Sequence, residues 1–334
     1  MLPAAAGFVP VWLLVGLLLI VVALMAPDTL SRASFGGMLP LGTFLALASL
    51  GQMLVIMTGG IDLSIPAVVT LSATLTVGVA QGADDRLLFA AAVALAWAFA
   101  VGLANGLLVG LLHLNPLIVT LAAGQVVLGF TANYRSGLGP ESAVPGALSS
   151  WASGRILGVS VIFWAGVAIT LLLAAVLRWT VEGRRFQSFG ANPRSAWIAG
   201  IDTRRFHVGA YAIAGVLYGT VGVLLAAFIR NPTLGAGAPY LLGPIAAVVI
   251  GGASLRGGVA SATSTWVAAF GLTLLSQMLR VLGLPSALQF IVFGGAIAAG
   301  MVVSGDRVVT LLGRFLARPD SQPRNAPTNE GEPG

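Results

Sequence analysis

The chain contains no lysine and no cysteine, only two histidines, and few charges of either sign. All 17 of its basic residues are arginine. Without lysine there is no Walker-type phosphate loop, whose Lys reaches the β/γ-phosphates, and no Schiff-base chemistry. Without cysteine there are no disulfides, thiolate nucleophiles, Cys-zinc sites or iron–sulfur clusters. His113 and His207 lie too far apart in sequence to form a zinc-binding H-E-x-x-H helix. Neither a G-x-S-x-G elbow nor a G-x-G-x-x-G fingerprint occurs. No catalytic, cofactor-binding or metal-binding residue is therefore expected, and no nucleic-acid partner. ATP cannot be hydrolysed here through a P-loop.

What is present is apolar. Hydrophobic residues make up 57% of the 334 residues and charged residues 8%, against roughly 25% charged in ordinary globular domains. So few charges cannot cover a water-exposed surface, and the chain is expected to be an all-α integral membrane protein. Arg or Asp at the bilayer midplane costs about 2.5–3.5 kcal/mol even on the lenient insertion scale, so charge-free intervals mark the crossings. They are 1–27, 33–61, 63–83, 87–134, 156–177, 206–229, 231–255, 257–279 and 281–305. The interval 87–134 is long enough for two helices and breaks at Leu112-His113-Leu114-Asn115-Pro116. About ten spans result, some of them broken or re-entrant. The apolar run Val9–Ala26 has no basic residue before it, and is expected to be a first membrane helix rather than a cleaved leader.

Arginine sets the orientation. With ten spans, one side holds 11 Arg, including those of the segment 178–205, and the other holds six. Both termini and that segment are expected to be cytoplasmic. Residues 1–318 form the polytopic domain, and 319–334, rich in Pro, Asn and acid, a disordered cytoplasmic tail.

Residues 178–205 hold six Arg and two acids. Within them Asn192 is a favoured N-cap, Pro193 suits the first helical position, and Gly200 can close the helix left-handed. The pattern predicts a two-turn helix over 193–199 with Ala196, Trp197 and Ile198 as its apolar side chains. So short a helix is not stable alone in water. It either lies on anionic lipid or docks a soluble partner.

Thr58-Gly59-Gly60-Ile61-Asp62-Leu63-Ser64-Ile65-Pro66 carries Asp62, the sole charge between Arg32 and Asp84. Paired Gly followed by Asp, Ser and Pro predicts a helix break, with Asp62 or Ser64 capping the next helix. The alternative is a broken helix lining a polar route. A weak echo follows in Gly251-Gly252-Ala253-Ser254-Leu255: Gly-Gly, two residues, then Leu.

Gly102, Gly106 and Gly110 share one helical face, as do Gly215 and Gly219, the arrangement that lets helices approach closely. Asn105, Thr120, Gln125 and Asn133 place hydrogen-bonding groups within apolar spans, either to bond between helices or to face a solute. His113 and His207 are expected to be solvated boundary residues.

These stretches resemble the permease subunits of bacterial ABC importers for monosaccharides, the ribose/xylose-type branch of the superfamily that includes branched-chain amino-acid permeases. Ile56-Met57-Thr58-Gly59-Gly60-Ile61-Asp62-Leu63-Ser64 is similar to that family's most recognisable signature. Gly102-Leu103-Ala104-Asn105-Gly106 and Asn115-Pro116-Leu117-Ile118-Val119-Thr120 are similar to its next two blocks. Ile245–Gly258 resembles a further Gly-rich one. Gly190, Asn192, Ala196, Gly200 and Ile201 stand where its cytoplasmic coupling motif has them. Two departures are visible: Ser188-Phe189 before Gly190, and Val259-Ala260 after Gly257-Gly258.

The resemblance implies a separate ABC ATPase subunit docking on Gly190, Asn192, Pro193, Ala196, Trp197 and Gly200. It implies a second permease, identical or paralogous, and a periplasmic or lipid-anchored sugar-binding protein. Gly59, Gly60, Asp62, Ser64, Asn105, Thr120 and Gln125 become candidates for the pathway or its gate, in the inner membrane of a bacterium. Two other readings stay open: a permease for branched-chain amino acids or another small solute, and a stand-alone secondary transporter. An ion-coupled carrier, however, calls for acidic groups in mid-span, and Asp62 is the one near-candidate.

Overall fold

The computed structural model describes residues 9–139, 142–285 and 287–303. The 319–334 tail, the four C-terminal Arg counted in the orientation argument and the end of the polytopic domain at 318 lie outside them. Each expected span contains one apolar helix: α1 (Val9–Met25), α2 (Arg32–Met57), α3 (Ile65–Ala80), α4 (Leu87–Gly110), α5 (Pro116–Ser136), α7 (Val161–Trp179), α10 (Thr203–Ile229), α11 (Gly243–Ile250), α12 (Ala262–Val281) and α13 (Ala287–Val303). Between them lie α6 (Gly146–Ser153), a two-residue hairpin of β1 (Arg155–Ile156) and β2 (Val159–Ser160), α8 (Val181–Ala191) and α9 (Pro193–Ile198). The expected all-α membrane fold is present. The break at 111–115 is also where the long interval was expected to divide, Asn115 accepting a hydrogen bond from the Leu117 N–H at 2.9 Å.

One span is helical over less than half its length. Within 231–255, α11 has eight residues, about 12 Å of rise against the roughly 30 Å of hydrocarbon it would have to cross. The chain leaves α10 at Ile229 and turns back into the molecule, so that Gly237 lies against the Pro66 carbonyl and donates its N–H to Thr70 Oγ1 at 3.1 Å. Non-helical backbone at that depth is tolerated only where protein surrounds it and supplies its hydrogen bonds.

Helix α10 is the centre of the bundle, packed on α4, α3 and α2. Its contact with α4 is made through the predicted glycines. Gly102 and Gly215 approach Cα to Cα, a Cβ on Gly102 would strike the Tyr211 carbonyl, and one on Gly215 the Ala98 carbonyl. Gly106 lies on Val208 in the same way. With no hydrophobic effect between helices in lipid, such close backbone packing supplies the attraction. Helix α2, apolar on all sides, is buried from Met38 to Met57 apart from partly buried Leu41.

Of the polar residues singled out within the spans, Asn105 and Thr120 bond across to the segment between α2 and α3. Other hydroxyls return to their own helix: Thr43 to Leu39 O, Thr74 to Thr70 O, Thr131 to Val127 O and Thr170 to Gly166 O, each at 2.7–2.9 Å. A hydroxyl reaches the carbonyl one turn back with no partner helix needed.

Candidate functional site

Helix α2 ends in a Schellman cap. Gly59 adopts φ +82°, the Gly60 N–H donates to Val55 O at 3.2 Å, and the Gly59 N–H to Ile56 O at 2.8 Å. Helix α11 ends likewise, but there the left-handed residue is the second glycine of its pair, Gly252 at φ +92°, with Ala253 N–H on Val248 O. The Gly-Gly echo therefore reflects a shared cap, displaced by one residue and not aligned pair to pair.

Beyond the first cap, Asp62 is buried at 1% exposure. Its Oδ1 accepts from the Ser64 N–H at 2.8 Å and from the Ser64 hydroxyl at 2.6 Å. The expected N-cap is thus replaced by an Asx-turn. The Ser64 hydroxyl, spent on Asp62, caps nothing in α3. Asn105 on α4 donates to Ser64 Oγ at 3.0 Å. Thr120 on α5 accepts the Leu63 N–H at 2.9 Å and returns its own proton to Pro116 O at 2.8 Å. Gln52 bridges the Asp62 backbone and the Tyr218 hydroxyl, 3.3 Å from each. Above the break, Gly60 has no room for a side chain beneath the Tyr211 hydroxyl.

Four elements thus hold one irregular segment. Of the sequence candidates, Gly60, Asp62, Ser64, Asn105 and Thr120 come together and are buried within a single chain, which makes them the brace of the helix break. Gln125 is not among them: it lies on an exposed face of α5. Gln52, Tyr211 and Tyr218 were missed. Helical spacing puts polar residues on faces, and nothing local says which face turns toward Asp62.

The second half of the site is the segment after α7. A helix not foreseen, α8, is capped by Thr180, whose Oγ1 accepts the Gly183 N–H at 3.0 Å. Phe186 and Phe189 are buried against Phe206, with ring centroids 5.8 and 6.0 Å apart. The departure at Phe189 is accommodated there. His207, expected in solvent, is half-buried and edge-on to Phe189, with ring centroids 4.9 Å apart; His113 is exposed.

Helix α9 is as predicted, one residue shorter. Asn192 Oδ1 accepts the Ser195 N–H at 3.0 Å, Pro193 is first, and Gly200 closes it at φ +78° with Ile201 N–H on Ala196 O. Ala196 turns inward at 4% exposure, while Trp197 and Ile198 project at 69% and 73%.

The two halves meet at Gly190. A Cβ there would stand 2.7 Å from Gly258 O and 3.1 Å from Met57 O. The Gly258 N–H in turn donates to Met57 O at 3.3 Å. Helix α8, the end of α2 and the loop after α11 thus share one backbone junction.

A bundle of apolar helices with two Gly-capped breaks joined to an exposed surface helix is the architecture of a polytopic membrane protein. The family described as "Branched-chain amino acid transport system / permease component" matches residues 34–302, and the chain belongs to it. Over 288 residues it is 33% identical to the ribose import permease protein RbsC of Bacillus subtilis (strain 168), covering 83% of this chain and 86% of that one. It is 30% identical over 295 residues to the L-arabinose ABC transporter permease protein AraH of Azospirillum brasilense, covering 87% and 84%. It is 31% identical over 282 residues to the autoinducer 2 import system permease protein LsrC of Enterobacter sp. (strain 638), covering 84% and 81%. No solved structure matches it.

Proposed function

We propose that this chain is the membrane-spanning permease subunit of an ATP-driven importer that carries a monosaccharide by alternating access, with α9 as the helix through which a separate ATPase subunit drives it. The observation that carries the proposal is the junction at Gly190. A partner that grips Trp197 and Ile198 moves α8 and α9, and α8 cannot move without displacing Met57 and Gly258. Both helix breaks are then pulled together. Backbone packed at van der Waals distance transmits displacement because interiors are close-packed and shift between discrete arrangements.

The sugar assignment rests on the ribose and arabinose permeases among the relatives. A second permease subunit completes the pathway, and a soluble or lipid-anchored binding protein delivers the sugar from outside. The Arg-rich segment and both termini face the cytoplasm, consistent with the 11-to-six division of arginine. Gly59, Gly60, Asp62, Ser64, Asn105 and Thr120 hold the gate, and Gln125, exposed on α5, faces either the second subunit or the route between the two.

The test is pull-down of an ATPase on the tagged full-length chain, followed by uptake of labelled ribose, arabinose, xylose, galactose and autoinducer 2 in cells lacking it. An associated ATPase and the loss of uptake for one of the sugars support the reading. Uphill accumulation by the purified chain alone, driven by protons or sodium, overturns the class. Loss confined to autoinducer 2 overturns the sugar.

A further inference from the structure

A cleft of about 570 Å³ opens where the end of α7 meets the starts of α8 and α10. Its floor is apolar, formed by Leu173, Leu177, Phe186 and Ile213, and its rim carries Glu182, Arg185, Asp202 and Arg205. The floor reaches the lipid-facing surface, where Val176 is 40% and Ile213 51% exposed. From Arg205 to Ile213 the rise along α10 is about 12 Å, more than the roughly 5–7 Å of one headgroup layer. The cleft therefore runs from the headgroup level into the acyl region, which suits an amphiphile and not a water-soluble ligand.

The rim is charged but formally neutral. Arg185 pairs with Glu182 at 2.7 Å and Arg205 with Asp202 at 3.0 Å, all four side chains more than half exposed. Each ion pair is made through one nitrogen, Arg185 Nη1 or Arg205 Nε. A guanidinium has five N–H donors and takes phosphate well. An anionic headgroup would also face the two carboxylates, to which it brings no positive charge. A headgroup that joins a phosphate to a primary ammonium complements both signs, and the ammonium donates hydrogen bonds that a trimethylated one lacks.

We propose that this cleft binds a glycerophospholipid with an ethanolamine headgroup, its phosphate on Arg185 and Arg205, its ammonium on Glu182 and Asp202, and an acyl chain along Ile213. The leaflet follows from the orientation proposed above; the site itself does not depend on it, and its test needs no ATPase.

The experiment is native mass spectrometry of the delipidated full-length chain offered equal amounts of dioleoyl phosphatidylethanolamine, phosphatidylcholine and phosphatidylglycerol. Phosphatidylethanolamine is expected to be retained about threefold or more over the others, since it alone joins a phosphate to an ammonium that donates hydrogen bonds to the carboxylates. In the Glu182→Gln/Asp202→Asn double variant that advantage falls to the phosphatidylcholine level. Gly209 lines the cleft, and a Cβ there meets nothing within 4 Å, so Gly209→Trp is the substitution chosen to occupy the cleft, and it is expected to lower retention of all three. Stronger retention of phosphatidylglycerol, equal retention of the three lipids, an ethanolamine preference surviving both variants, or a dimer of the chain that closes this face to lipid each overturns the proposal.

Discussion

Gly190 of α8 sits so close to Gly258 that a methyl group at its Cα would lie 2.7 Å from the Gly258 carbonyl oxygen. At an exposed helical position, Gly→Ala stabilises by roughly 0.5–1 kcal/mol. Here the sign reverses. Gly190→Ala is expected to destabilise by about 1–3 kcal/mol through overpacking, and to lower uptake further than the fall in folded protein explains. Thermal unfolding in detergent and transport per folded molecule measure the two effects. A gain in stability with normal uptake would falsify the junction.

Asp62 separates holding the break from moving it. Asp62→Ala leaves the Ser64 N–H and hydroxyl without their buried partner, and stability should fall by about 2–4 kcal/mol. Asp62→Asn keeps an acceptor for the same Asx-turn, so folding is largely retained while uptake falls, the charge-assisted bonds being weaker. Urea or thermal unfolding beside uptake assays distinguishes the pair. Equal stability of the two variants would remove Asp62 from its bracing role.

The caps of α9 can be tested separately from its surface. Asn192→Ala removes the acceptor for the Ser195 N–H, a loss of about 1 kcal/mol in local helix stability. Gly200→Ala forces a Cβ into a left-handed conformation at about 1–2 kcal/mol. Both should speed amide exchange over 194–198 while leaving exchange in α10 unchanged. Unaltered exchange would show that packing, not capping, holds the helix.

Trp197 and Ile198 are exposed, so alanine there should change stability by no more than about 0.5 kcal/mol. Recovery of the ATPase subunit with the chain should nonetheless drop, since exposed apolar side chains at an interface anchor the partner. Undiminished recovery from the double variant would place the contact elsewhere.

The meeting of α4 and α10 offers the harshest substitution. Gly102→Leu drives a side chain into the Tyr211 backbone, and the helices cannot separate without exposing the Asp62 network. Folded yield should collapse, as read by size exclusion of a fluorescent fusion. Gly16, whose Cβ position meets nothing within 4 Å, should accept the same change.

Much was decided by the sequence alone, because the governing physics is local or solvent-imposed. Scarcity of charge marked the chain as a membrane protein and located its apolar helices. Asn192, Pro193 and Gly200 specified α9 almost to the residue, since a cap is a contest among neighbouring backbone groups. Tertiary structure decided what distance along the chain conceals. It brought Gly190 onto Gly258, put Tyr211 over Gly60, buried Phe189 and half-buried His207 with Phe206, and reduced the 231–255 crossing to a loop resting on α3 at Gly237 followed by a short helix packed on α2 and α12. Each depends on which helix faces travel next to each other. In a chain apolar on nearly every side, hydrophobic pattern carries no record of that choice, and close backbone packing at glycine makes it.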